Sequence, residues 1–168
     1  MVKDFLGIIK KPIDSIEKKL GGNFKKILIM LGIIVGIYFL ADFISMMYST
    51  VAASKDWNGK LHFEVLKNIN YFKFILNFIL NQVFFLGSIF AGLFVYTSIS
   101  KKDLKLVDVL TIILVAFTLN YLVTAALDIL FMFNFMNIKF LLTLRSIIST
   151  AILYYAIALL IIGIIKTY

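Results

Sequence analysis

Three charged side chains lie within long apolar stretches of the sequence: Asp42, Asp128 and Arg145. Ionisable groups inside a membrane are energetically costly, so each requires a partner or serves a function. A guanidinium has five N–H donors and can bridge two carboxylates. We therefore expect the three side chains to meet, either as a cluster that fixes helix register or as a site for an ion or polar ligand.

Amide side chains in another apolar stretch extend this polar set. Asn77 and Asn81 are four residues apart, so they share one face of a helix. At about 1.5 Å per residue, Asp42 lies roughly 22 Å from the start of its helix, which places it in the outer half of the membrane. The same estimate places the other charged and amide side chains of this set in the outer half. We favour a structural role over a ligand site, and Arg145 could also snorkel to the surface. The predicted intramembrane cluster is Asp42, Asn77, Asn81, Asp128 and Arg145.

The familiar catalytic and metal-binding sets are missing from the sequence. It has no cysteine and a single histidine, His62, which excludes disulfides, thiolate metal sites and multi-histidine zinc sites. It contains no H-E-x-x-H, no glycine-rich phosphate loop and no G-x-S-x-G turn. We therefore expect no enzymatic activity, no cofactor and no metal.

Four uncharged stretches must position the polar residues. The chain has 168 residues, 62% hydrophobic and 15% charged, whereas a soluble domain is about half apolar and a quarter charged. Crossing a bilayer takes about 20 mostly apolar helical residues. We predict an all-α, polytopic membrane protein in which residues 27–168 form a four-helix transmembrane bundle. The predicted spans are residues 27–48, 71–98, 106–133 and 140–165, each bound being approximate.

Residues 1–26 form a basic segment ahead of the first span. Its apolar residues recur at spacings of four, three and four, which predicts an amphipathic helix: Ile9, Ile13, Ile16 and Leu20. Pro12 suits the first turn of a helix. We predict one or two short helices in the membrane interface, with isoleucines in the acyl boundary; a flank that only orients the first span is the alternative. The lipid-facing lysines are Lys10, Lys11, Lys18, Lys19, Lys25 and Lys26.

The distribution of lysines predicts the orientation and the partners. Eleven lysines fall near the termini or between the second and third spans, and five fall on the other side. This bias predicts a multi-pass protein of the cell membrane with both termini in the cytoplasm. The net charge of +8 lies beside apolar spans, which indicates anionic lipid headgroups and not nucleic acid as a partner.

Small residues predict where helices approach each other. Gly32 and Gly36 form a G-x-x-x-G step, and Ser88 and Gly92 form a similar step in the second span. Small side chains let helix backbones come close. We expect packing within the chain first and a dimer interface second.

The order of these segments carries a family resemblance. Lys11-Pro12-Ile13 precedes the amphipathic stretch, Phe24-Lys25-Lys26-Ile27 opens the first span, and the second span ends in a lysine-rich turn. This layout resembles the Yip-domain family of small multi-span membrane proteins in its prokaryotic form. The family usually has five spans, often with a proline in the span after the charged turn, whereas this chain has four and no proline there. The resemblance implies a membrane-organising or trafficking-like role without catalysis and transfers no functional residue.

The sequence thus predicts a non-enzymatic integral membrane protein that acts as a membrane-organising or accessory subunit through partner or lipid binding. Another membrane protein and a second copy of the chain are the candidate partners. The alternative is a small transporter or channel component that uses the polar cluster in the outer half of the bundle. The bias of sixteen lysines to one arginine indicates an AT-rich prokaryotic genome.

Overall fold

The computed structural model describes residues 2–17, 23–56, 59–100, 105–132 and 138–167. These residues confirm the predicted all-α architecture, in which two short helices precede four long ones. The short helices are α1 (Val2–Lys10) and α2 (Pro12–Glu17). The long helices are α3 (Phe24–Ala53), α4 (Tyr71–Ile99), α5 (Leu106–Met132) and α6 (Ile138–Thr167). A 3₁₀ helix (Phe63–Asn68) lies between α3 and α4.

Each of the four long helices contains a segment with the length and composition of a membrane span. They have 27 to 30 residues, which corresponds to about 40–45 Å at 1.5 Å per residue. The hydrocarbon core of a bilayer is only about 30 Å thick, so the helix ends reach into the headgroup layers. The protein is a multi-pass integral membrane protein.

Asparagine residues cap the N-termini of α3 and α4. The Oδ1 atom of Asn23 accepts a hydrogen bond of 3.1 Å from the backbone N–H of Lys26. Asn70 accepts a bond of 2.9 Å from the backbone N–H of Lys73. Each N-cap satisfies one of the N–H groups that the first helical turn leaves without a partner.

The connection between α3 and α4 is held by short-range polar contacts. The hydroxyl of Ser54 donates to the carbonyl oxygen of His62 and accepts from its backbone N–H, at 3.0 and 3.2 Å. Asp56 contacts the imidazole of His62 at 3.4 Å and accepts a bond from the backbone N–H of Lys60. The turn passes through Gly59 at a φ of +82°, a conformation that glycine adopts without strain. These contacts hold the loop that follows α3 against the end of that helix, on which the 3₁₀ helix also packs.

Helix α5 lies at the centre of the bundle and α4 lies at its periphery. Residues 111–118 of α5 are all buried, and α3 and α6 both pack closely against this helix. In contrast, only 6% of the most apolar window of α4 is buried within the chain, against 61% for α5. Most of the apolar surface of α4 is therefore available to lipid or to another protein.

Aromatic rings attach the first half of α4 to α3. Phe39 lies between Phe74 and Phe78, with ring centroids 6.0 and 4.9 Å away, and Phe43 contacts Tyr71 at 5.9 Å. Such pairs each contribute about 0.5–1.5 kcal/mol beyond the burial of their area. Close backbone approaches between α3 and α4 are few, because the large rings keep the two backbones apart.

The two short helices pack against one end of the bundle. Ile8 and Ile16 are each 2% exposed and belong to the same core as Ile27 and Ile112. A Cβ atom at Gly163 would lie 2.8 Å from Ile112 Cγ2 and 3.3 Å from Ile16 Cδ1. The absence of a side chain at Gly163 therefore lets α2 dock between α5 and α6.

This docking differs from the expected position of the isoleucines in the acyl boundary. Ile16 packs on protein, Ile9 of the predicted stripe is exposed, and Ile8 is buried in its place. Leu20 lies outside the described residues. Ile16 does lie on the apolar face of a helix, as predicted. This face packs against the bundle and not against acyl chains, because apolar protein surface is available there. An ion pair of 3.1 Å between Lys26 and Asp4 also joins the start of α3 to α1.

The glycine step in α3 does not mediate packing within the chain. A Cβ atom at Gly32 or Gly36 would meet no atom of the described residues within 4 Å, and the same holds for Gly92 in α4. Ser88, the partner of Gly92 in the second predicted step, is exposed and bonds to its own helix at Phe84. The expectation of intrachain contact at these steps is therefore not met, and both lie open toward the surroundings of the bundle.

Candidate functional site

The centre of the candidate site is an ion pair between α5 and α6. Asp128 lies four residues before the end of α5 and Arg145 lies seven residues after the start of α6, so two antiparallel neighbours bring them to a similar depth. A guanidinium N–H of Arg145 donates to Asp128 Oδ1. The Asp128 side chain is 3% exposed and that of Arg145 is 40% exposed. The pair therefore has a buried anion and a partly accessible cation.

Asp42 on α3 completes a group of three charges. It is half-buried and interacts electrostatically with both Arg145 and Asp128. The two carboxylates and one guanidinium leave a formal excess of one negative charge when all three are ionised. Structurally, the group connects α3, α5 and α6.

Two tyrosines and a glutamine extend the charged group to α4. The hydroxyl of Tyr121 donates a hydrogen bond of 2.6 Å to Gln82 Oε1. The ring centroids of Tyr38 and Tyr121 lie 5.2 Å apart. Tyr38 precedes Asp42 on α3 by one helical turn. All four membrane helices therefore contribute to one set of residues. We call this set the polar interior: Tyr38, Asp42, Gln82, Tyr121, Asp128 and Arg145.

Asn77 and Asn81 do not join the polar interior. Both are exposed on the surface of α4. Gln82 instead shares the inward face with Phe78, four residues earlier, whose ring contacts Tyr38 and Phe39. The pairing of Gln82 with Tyr121 was not predicted from the sequence. The available signal was the four-residue spacing between Phe78 and Gln82, which places both side chains on one face of the helix.

Most of the described lysines of the predicted basic segment are exposed. Lys10, Lys11 and Lys25 are exposed, whereas Lys26 is half-buried in its pair with Asp4. Lys18 and Lys19 lie outside the described residues. Because α1 and α2 pack on the ends of α5 and α6, the four lysines share one end of the bundle with three others. We call it the basic end, and its described lysines are Lys3, Lys10, Lys11, Lys25, Lys26, Lys105 and Lys166.

An acidic residue also lies near the basic end. Asp108, in the first turn of α5, is 6% exposed. The N-terminus of a helix favours a carboxylate through its free N–H groups and its dipole.

The polar interior and the basic end are the two places where the structure gathers polar and charged residues. Across the described ranges, no group of three or more histidine, aspartate or glutamate side chains is placed to hold a metal ion. The polar interior contains a fixed ion pair, a half-buried carboxylate and hydrogen-bonded hydroxyl and amide groups. Comparison with protein-family models, curated proteins and solved structures finds nothing that matches this chain.

Proposed function

We propose that this chain is a non-enzymatic integral membrane protein that acts as a membrane-organising or accessory subunit by binding a partner or lipid. The observation that carries the proposal is the open glycine step of α3. Gly32 and Gly36 have free space where a side chain would be, and Ile29, Ile33 and Leu40 beside them are exposed. A small-residue step flanked by aliphatic side chains lets a second membrane helix approach closely.

The polar interior supports the same proposal. Asp128 and Arg145 pair with each other, and Tyr121 pairs with Gln82. Polar contacts between membrane helices often fix the register of a bundle. On this proposal, the interior holds the four helices in position while the outer face of α3 around the glycine step makes the functional contacts. This division of roles agrees with the membrane-organising character implied by the Yip-like layout.

The lysine distribution supports an orientation for the complex. We place the basic end at the cytoplasmic face of the cell membrane, with both termini on that side, because lysines flanking spans are retained there. The exposed lysines at this end would contact anionic headgroups, each contributing about 1 kcal/mol near the surface.

Purification from the native membrane tests the partner-binding proposal. The tagged protein, the Gly32→Leu variant and the Gly87→Leu variant would each be extracted in mild detergent and their complexes weighed by native mass spectrometry. Gly87 is the matched control, because its Cβ position is also open but lies on α4. We expect a stoichiometric complex with the original protein and with Gly87→Leu, and its loss with Gly32→Leu. The mass distinguishes a second copy from another protein.

The outcome that contradicts the proposal is equally defined. If Gly32→Leu keeps the complex, the α3 face is not the binding surface. If the original protein runs as a single chain, the accessory role itself is contradicted. All three proteins should unfold at similar temperatures in detergent, since a Cβ atom at either position meets no atom of the described residues within 4 Å.

A second candidate function, a small transporter or channel component, is favoured by the excess negative charge at Asp42. A carboxylate in the membrane with a shared counter-charge is a candidate ion or proton site. Ion and solute flux into proteoliposomes tests this alternative. Flux that the Asp42→Asn substitution abolishes would support transport, and flux no greater than that of empty liposomes would exclude it.

A further inference from the structure

The basic-end halves of α4 and α6 enclose an apolar cleft with a volume of about 400 Å³. Ile89, Gly92 and Tyr96 line it from α4, and Leu160 and Ile164 line it from α6. Pockets that hold small molecules typically measure about 300–1,000 Å³. The cleft is therefore large enough for a ligand, and its lining is almost entirely hydrocarbon.

The cleft exists because α4 stands away from the rest of the bundle. Close backbone approaches of the kind that join α5 to α6 are few between α4 and α6. Gly92, at the middle of the α4 wall, adds no side chain, and a Cβ atom there would meet nothing within 4 Å. The space between the two helices is consequently open, and none of the described residues fills it.

The cleft lies within one leaflet of a bilayer. Along α4 it extends from Ile89 to Tyr96, and the helix ends at Ile99. At 1.5 Å per residue the lining reaches from about 4 to 15 Å below this helix end. Half of the hydrocarbon core is about 15 Å thick. A partner helix would cross both leaflets and has a diameter of about 10 Å, so a single extended hydrocarbon chain is the better fit.

Positive charge lies where the headgroup of such a lipid would be. Lys166 follows the lining residue Ile165 directly and is exposed, as is Lys105 at the start of α5. Of the described acidic residues at this end, Asp4 pairs with Lys26, Asp14 lies 3.8 Å from Lys11, and Asp108 is buried. The described lysines of the basic end outnumber these three acids, so this end carries an excess of positive charge that is complementary to an anionic headgroup.

We propose that the cleft between α4 and α6 is a binding site for one anionic phospholipid of the leaflet at the basic end. One acyl chain occupies the space beside Gly92, and the phosphate lies within reach of Lys166 and Lys105. The inference rests on the partner- or lipid-binding role proposed above. It identifies the lipid class and places its site on a different face from the glycine step of α3.

Native mass spectrometry with defined lipids tests the site. The purified protein would be offered an equimolar mixture of phosphatidylglycerol and phosphatidylcholine. The informative variants are Gly92→Leu, which fills the cleft, and Lys166→Gln, which removes a charge at its mouth. Ala91→Leu is the matched control, because it adds similar bulk one residue away at an exposed position outside the lining.

We expect the original protein and Ala91→Leu to retain one phosphatidylglycerol molecule and Gly92→Leu to lose it. Lys166→Gln should reduce the preference for phosphatidylglycerol about fivefold, from the contribution of one lysine near an anionic lipid. Equal retention by Gly92→Leu and Ala91→Leu would overturn the site, and equal retention of the two lipids would overturn the anionic class. Partner capture through Gly32 is measured separately, so a failure of this inference is distinguishable from a failure of the proposed function.

Discussion

The ion pair between Asp128 and Arg145 makes a sharp prediction, because its two members are buried to different extents. The Asp128 side chain is 3% exposed, whereas that of Arg145 is 40% exposed. Replacing Arg145 with glutamine leaves a buried carboxylate that no water can reach easily. Replacing Asp128 with asparagine leaves a cation that can turn toward the headgroup layer on its long side chain. We therefore expect Arg145→Gln to be the more destabilising substitution.

Two sets of measurements bound the size of the effect. Removing one partner of a fully buried ion pair destabilises soluble proteins by about 3–5 kcal/mol. Polar contacts between membrane helices contribute less, about 0.6 kcal/mol on average and about 1.7 at most, and partial exposure of Arg145 screens the interaction further. We expect losses of about 2 kcal/mol for Arg145→Gln and about 1 kcal/mol for Asp128→Asn. The double variant should lose about 1.5 kcal/mol, so that the coupling energy is also about 1.5 kcal/mol.

Equilibrium unfolding of the four proteins in detergent–lipid micelles measures this cycle. The free energies of unfolding of the original protein, the two single variants and the double variant give the coupling directly. Additive losses, or a larger loss from Asp128→Asn than from Arg145→Gln, would refute the asymmetric pair. If Arg145→Gln changes neither stability nor activity, the proposed polar interior does not exist.

Three further substitutions test the packing of the bundle. Gly163→Ala should lower the free energy of unfolding by about 1–3 kcal/mol, because the added Cβ atom would lie 2.8 Å from Ile112 Cγ2; thermal unfolding in detergent measures it. Tyr121→Phe should cost about 1 kcal/mol in the same assay, since Gln82 loses its hydrogen-bond donor. Ile16→Ala should destabilise the docking of α2 by about 2 kcal/mol and speed limited proteolysis of the N-terminal segment.

The membrane spans were predictable because bilayer thickness imposes a minimum length on apolar helices. The second and third predicted spans, residues 71–98 and 106–133, agree within one residue with α4 and α5. The other two helices, α3 and α6, extend two to five residues beyond the predicted spans at each end. At its start, α3 is capped by Asn23. Hydropathy does not detect such caps, since they depend on one side-chain hydrogen bond.

The polar interior was predictable only in part. A lone arginine and a nearby aspartate in apolar surroundings favour pairing, and Arg145 and Asp128 do meet. The amides were harder, because adjacent helical residues point about 100° apart and one face must be chosen without knowing where α5 lies. The choice of Asn77 and Asn81 left out Gln82, and nothing distinguished Tyr121 from the seven other tyrosines.

The packing of small and aliphatic residues could not be read from spacing alone. The G-x-x-x-G pattern at Gly32 is open, whereas the isolated Gly163 makes the close contact with Ile112. Whether a glycine faces a neighbouring helix depends on the tertiary arrangement. The same reason explains why Ile8 is buried and Ile9 is exposed, although both are apolar and adjacent.

The central claim is that the α3 face around the glycine step binds a partner within the membrane, and site-specific cross-linking tests it most directly. The chain contains no cysteine, so an Ile33→Cys variant has a single thiol. A photoactivatable cross-linker would be attached to this thiol and activated in the native membrane. Ile147→Cys, at an exposed position on α6, is the matched control. We predict an adduct of one defined mass from position 33 and none from position 147. No adduct from position 33, or the same products from both positions, would contradict the account.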